Sequence, residues 1–94
     1  MKQAAKIDAT QPGIVAALRA AGWGVLSLAA LGNGAPDLLV ARHGCAGLIE
    51  CKSRGGRLTD LQRAFAATWP GNVGVAYSPE EALDLVWKWE GGAA

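Results

Sequence analysis

The sequence predicts a single α/β domain with element order α-β-β-β-α-β-α, a central sheet covered by helices. Three observations predict it. Apolar residues recur at helical spacing in three capped stretches, and short apolar or alternating runs lie between clusters of Gly, Pro and Asn. The length of 94 residues has room for one core only. A composition 51% hydrophobic and 18% charged excludes a disordered chain and a fibre.

The first helix is expected over 11–21. Ile14, Ala17, Leu18 and Ala21 recur at helical spacing after Thr10-Gln11-Pro12, where Pro suits a first turn, and Gly22 supplies the stop. Val25 to Leu31 is short and apolar and runs into Gly32-Asn33-Gly34, so it reads as a strand. Leu38-Leu39-Val40 and Leu48-Ile49 read as two more strands, joined as a hairpin through Arg42 to Gly47. Thr59 followed by Gln62 has the capping-box form, and Leu61, Phe65 and Trp69 continue as the apolar, buried stripe of a second helix that stops before Pro70-Gly71. Val73, Val75 and Tyr77 alternate with smaller residues as a fourth strand. Ser78-Pro79-Glu80-Glu81 opens a third helix that runs to about Trp89. The core spans about 11–89, with 90–94 as a frayed tail.

The informative residues are Asp37, Glu50 and Lys52. Glu50 and Lys52 are two apart on one strand and so share a face, with Cys51 between them pointing the other way. A hairpin turning near Gly44-Cys45 sets Asp37 opposite Lys52 and Leu39 opposite Glu50, which places all three polar groups on one face. Two neighbouring carboxylates on an apolar strand are costly unless something compensates their charge. A divalent cation does so: Mg²⁺ takes oxygen ligands, keeps several waters, and is held by one or two carboxylates plus substrate phosphate. Such an ion acidifies water and neutralises phosphoryl charge, both needed for phosphodiester hydrolysis. The Lys52 ammonium would orient the attacking hydroxide or stabilise charge on the phosphoryl oxygens. By spacing alone a plainer reading stands beside this one, in which Asp37 caps the turn after Pro36 and Glu50 and Lys52 pair on a solvated strand face.

Three segments in this order, Gly34-Ala35-Pro36-Asp37-Leu38-Leu39-Val40, Leu48-Ile49-Glu50-Cys51-Lys52 and Leu58-Thr59-Asp60-Leu61-Gln62, resemble the PD-(D/E)XK nuclease superfamily. Within it the chain is most similar to small stand-alone VRR-type nucleases and phage or prophage Holliday-junction-resolvase-like proteins. The similarity covers about Gln11 to Leu83. It implies a restriction-endonuclease-like α-β-β-β-α-β core with a C-terminal helix, Mg²⁺ or Mn²⁺ dependence, and hydrolysis of a DNA backbone. It assigns metal binding to Asp37 and Glu50 with the backbone carbonyl of Cys51, makes Lys52 the catalytic lysine, and brings Gln62 into the site. Many relatives carry a first-helix Glu facing the site. Gln11 aligns there, with Asp8 a poorer match, so one well-formed metal site is expected.

The remaining signals fit around that site. Residues 52–63 carry Lys52, Arg54, Arg57 and Arg63 against Asp60, a net of +3 in a chain whose overall charge is +1. Positive charge is therefore concentrated beside the site, where Arg54, Arg57 and Arg63 would meet DNA phosphates, although a solvated face is the plainer reading of such a run. Gln62 has a structural role open to it as well, because the last residue of a capping box bonds back to the cap amide. Gly32-Asn33-Gly34 lacks the Walker spacing, so no nucleotide cofactor is expected. His43 falls in the hairpin turn, exposed and far from the site. Cys45 and Cys51 lack zinc or redox spacing and are expected to stay reduced.

Trp87 and Trp89 lie about 200° apart on a helix, so one of them must be exposed. Helix three carries Glu80, Glu81, Asp84 and Glu90 against Lys88, which disfavours phosphate there and favours a subunit interface. The resemblance to junction-resolvase-like proteins implies a branched DNA substrate, and the symmetry of a four-way junction then favours a homodimer. The alternatives are a flap or nicking nuclease, and a catalytically silent DNA- or partner-binding module. No apolar run reaches membrane-span length and no secretory leader pattern opens the chain, so no membrane association and a cytoplasmic location are expected.

Overall fold

The computed structural model describes residues 7–92. Pro12 occupies the first turn of α1 (Gln11–Ala20), where its missing N–H is harmless, and Gly22 turns the chain out of the helix at a φ of 92°. The elements then follow in the expected order: β1 (Gly24–Ser27), β2 (Leu38–Arg42), β3 (Cys45–Cys51), α2 (Asp60–Thr68), β4 (Asn72–Ala76) and α3 (Pro79–Trp89). They form one sheet in the order β1-β2-β3-β4, antiparallel through β3, with β4 parallel to β3 after the α2 crossover. The α/β architecture is thus as expected. No helix among the described residues is long and apolar enough to cross a membrane.

The core lies on one face of this sheet. Ile14 and Leu18 of α1 and Ala82 and Val86 of α3 pack on Leu38, Val40, Ile49, Cys51 and Ala76 from the strands. Period-two alternation is plain in β2, where Leu38 and Val40 are fully buried and Leu39 between them is 37% exposed. Burying each Leu or Ile contributes about 1.5–3 kcal/mol, so this layer supplies most of the apolar driving force. α3 lies directly on the strands because Gly74 leaves room for Leu85: a Cβ there would sit 2.8 Å from both Leu85 methyls.

The opposite face is only half covered. α2 lies over its β3–β4 side, where Gln62 and Ala66 share a small cavity with Glu50, Val73 and Val75. Leu26 and Leu39, paired with each other on β1 and β2, stay open to solvent. α2 contains no buried residue, so the stripe expected to be buried is not. Leu61 is 62% exposed, and Trp69 is exposed and stacks on Phe65 with ring centroids 5.1 Å apart. The helix forms through its own capping box, present with both hydrogen bonds, and not through a buried stripe.

Three boundaries also differ. β1 stops at Ser27 instead of Leu31, because side-chain and turn hydrogen bonds take over from the ladder. There the Ser27 hydroxyl accepts the Ala29 amide, and the Leu31 amide bonds back to the Leu28 carbonyl. The hairpin turns at His43-Gly44, one residue earlier than expected, with Arg42 paired to Cys45. Both turn residues have positive φ, 50° and 78°, as a two-residue type I′ turn requires. His43 adopts a conformation usually left to Gly or Asn. Finally, residues 90–92 are not frayed: Glu90 is paired with Arg42, and the Gly91 and Gly92 amides bond to the Lys88 and Trp87 carbonyls. The rest of the expected tail lies outside the described residues.

Candidate metal centre and active-site cleft

The earlier turn moves the register by two residues. Leu38 pairs with Ile49 and Leu39 with Leu48, so the continuation of the ladder sets Asp37 level with Glu50, not with Lys52. A shift of two keeps strand parity, and Asp37, Glu50 and Lys52 still share the face away from the core. Asp37 enters β2 after buried Pro36, and its backbone carbonyl accepts the Leu28 amide at 2.7 Å. Its Oδ2 accepts the Cys51 amide at 2.7 Å, which fixes the carboxylate against β3.

Glu50 is the central group. It is 6% exposed, and its Oε2 accepts from Gln62 Nε2 at 3.0 Å with the Lys52 ammonium 3.7 Å away. Its Oε1 is buried and has no hydrogen-bond partner. Burial pushes the Glu50 carboxyl up to about 7, Asp37 beside it adds to the rise, and Lys52 opposes it. Without a cation the pair of carboxyls is thus under-compensated at neutral pH. Among the described residues Gln11 Oε1, on a side chain 5% exposed, is the other buried side-chain atom left without a partner. Native structures rarely leave such acceptors orphaned, and a bound ion or water is a common resolution.

These atoms fit a hard divalent cation. No group of three or more His, Cys, Asp and Glu side chains converges among the described residues. The donors on the cleft are two carboxylates and backbone carbonyls, all oxygen, which suits Mg²⁺ or Mn²⁺ and not zinc, whereas Gln11 does not line it. Cys51 cannot serve through sulfur. Its side chain faces the core, and burial pushes the thiol up to about 12, with Asp37, Glu50 and Asp8 adding to the rise.

Gln62 makes the capping bond and also reaches Glu50. Its Oε1 accepts the Thr59 amide at 2.8 Å as the capping box demands, and that fixes which way the amide points, so Nε2 faces Glu50. Asp37, Glu50, Cys51, Lys52, Arg57, Thr59 and Gln62, together with Ile7 and Asp8, line one cleft of about 440 Å³. Of the three arginines, Arg57 alone is on that cleft. Arg63 is held by Asp60 and by the Leu58 carbonyl, and Arg54 is exposed outside it. His43 lies at the far end of the hairpin, 83% exposed at its side chain.

Comparison with protein-family models, with curated proteins and with solved structures finds no match to this chain.

Two contributors to the cleft carried little signal in the sequence. Ser53 follows Lys52 directly and bonds to Asp8, and the Tyr77 hydroxyl donates to the Gly56 carbonyl at 3.2 Å, holding the Gly55-Gly56 turn beside Arg57. Asp8 could have been read from its Asp-x-Thr spacing before a helix, where an Asx-type turn is favoured.

Proposed function

We propose that this chain is a metal-dependent endodeoxyribonuclease, with a restriction-endonuclease-like fold and the site of the PD-(D/E)XK superfamily. It resembles the VRR-type and junction-resolvase-like enzymes in its three motif segments, and it hydrolyses phosphodiester bonds in branched DNA. One observation carries the reading: a buried glutamate with one oxygen held by Gln62 and the other unpartnered, beside a second carboxylate and a lysine.

Asp37, Glu50 and the Cys51 carbonyl are the groups that would hold Mg²⁺ or Mn²⁺. The ion, when bound, supplies Lewis acidity that generates hydroxide near neutral pH and offsets phosphoryl charge. Gln62 and the strand backbone keep Glu50 in one rotamer, so the carboxylate is pre-organised and loses little freedom on binding. Lys52, 17% exposed at its side chain and next to Glu50, is aimed at the cleft, where its ammonium stabilises charge that develops on the phosphoryl oxygens. Arg57 on the rim pairs with a flanking phosphate, while Arg54 and Arg63 act at longer range. The four-way junction has two-fold symmetry, and a C2 homodimer presents two such clefts for paired incisions.

Incubating the purified chain with labelled four-way junction, flap, nicked and linear duplex, in Mg²⁺, Mn²⁺ or EDTA, tests this reading. Paired, metal-dependent nicks on the junction are expected. Preference for flap or nicked duplex would reassign the substrate, and binding without cleavage in every metal would replace the enzyme by a silent DNA-binding module.

A further inference from the structure

Asp8 is the carboxylate on the cleft that is committed entirely to the protein. Its Oδ1 accepts from the Thr10 amide at 2.8 Å, the Thr10 hydroxyl at 2.7 Å and the Ser53 hydroxyl at 2.7 Å, and its Oδ2 accepts the Ser53 amide at 2.9 Å. Thr10 first, then Ser53, hold the Asp8 carboxyl well below the usual carboxylate range. All four partners are donors, so an acceptor-only group is required. An amide in its place would turn its NH₂ toward one of them. A carboxylate so occupied is a poor metal ligand, which separates Asp8 from Asp37 and Glu50.

What the tether holds is informative. Ser53 is the residue after Lys52, at the point where the chain leaves β3 for the Gly55-Gly56 turn. On one side the Lys52 backbone is fixed by its amide bond to the Ala76 carbonyl at 3.1 Å. On the other it is fixed by Asp8, which lies just ahead of α1. We propose that Asp8 is the positioning residue of this site: by clamping Ser53 it sets where the Lys52 backbone ends, and so where the ammonium stands relative to Glu50. This rests on the nuclease reading above for its catalytic consequence. The same clamp places Ile7 and Asp8 as a wall of the cleft.

The test uses Asp8→Ala, Asp8→Asn, Ser53→Ala and the double variant Asp8→Ala with Ser53→Ala, each checked for folding by its thermal transition. For Asp8→Ala, kcat on the junction is expected to fall about ten- to a hundredfold, the scale of a small misplacement of a reacting group, with KM for DNA within about twofold. Asp8→Asn should restore part of the rate, and the double variant should be no worse than Asp8→Ala because both remove one clamp. Hydrogen exchange at the Ser53 amide should quicken while the amides of Ile14 and Leu18 do not change. A folded Asp8→Ala with wild-type kcat, or with unchanged Ser53 exchange, overturns the proposal. Should the wild-type chain cleave no DNA, the nuclease reading falls and the Ser53 amide decides the clamp by itself. Faster exchange there in folded Asp8→Ala supports positioning, and unchanged exchange overturns it.

Discussion

Gln62 donates from Nε2 to Glu50 Oε2 at 3.0 Å while its own Oε1 accepts the amide that caps α2. The start of a helix and the orientation of a buried carboxyl are therefore tied through one side chain. Substituting Gln62 separates the two. Gln62→Ala loses both bonds and is expected to cost about 1 kcal/mol of helix capping as well as activity. Gln62→Glu keeps an oxygen for the Thr59 amide but sets a third carboxyl beside Glu50. It should keep the cap yet unfold about 1–3 kcal/mol more easily, since a donor to buried Glu50 becomes a like charge, and lose most of its cleavage rate, as read from thermal unfolding alongside kcat.

Glu50 also makes stability depend on pH. Its folded value, about 7, lies above the ordinary 4.5, so the native state binds the extra proton between those two values. In EDTA, the contribution of Glu50 to stability is therefore expected to be fully present below about pH 4.5 and to be lost as pH rises through about 7. Glu50→Gln should remove that slope from a series of thermal unfolding curves. Saturating Mn²⁺ should reverse it in the wild type, because the ion binds the ionised carboxylate.

Gly34 connects the loop before Asp37 to α2. At a φ of 80°, a Cβ there would lie 2.6 Å from the Leu61 carbonyl oxygen. Gly34→Ala thus meets both backbone strain and a clash against the turn that carries Gln62, and should destabilise the domain by about 2–4 kcal/mol. Gly32→Ala is the control: its φ is 68° with nothing within 4 Å, so only strain of about 1 kcal/mol is expected. Denaturant unfolding of the two variants side by side measures the difference.

Lys52→Ala should fold, since the ammonium supports no core contact, but its kcat should fall about a hundred- to a thousandfold, the effect of removing one preorganised transition-state contact. Asp37→Asn should lose comparable activity. A single-turnover assay at saturating metal separates this loss from weakened DNA binding.

How much of this was legible in the sequence depended on whether a feature is local. The capping box at Thr59 and Gln62, the order of elements and the shared face of Asp37, Glu50 and Lys52 all follow from spacing and strand parity, which survive a register shift of two. The register itself was not legible, because it turned on His43 accepting a positive φ. The stripe of Leu61, Phe65 and Trp69 has helical period, yet periodicity identifies a face without saying that anything covers it. Asp8 and Ser53 meet only because the segment ahead of α1 reaches the end of β3, a long-range contact that no local pattern encodes.

The most direct measurement is a calorimetric titration of Mn²⁺ into the wild-type chain, Asp37→Asn and Glu50→Gln. Glu50 Oε1 is buried without a partner, and that is the oxygen the ion would take. The expected result is one saturable site per chain in the wild type, weakened about tenfold or more in each variant. No binding in the wild type, or binding that neither substitution alters, would contradict a metal centre at Asp37 and Glu50 and remove the basis for the proposed nuclease.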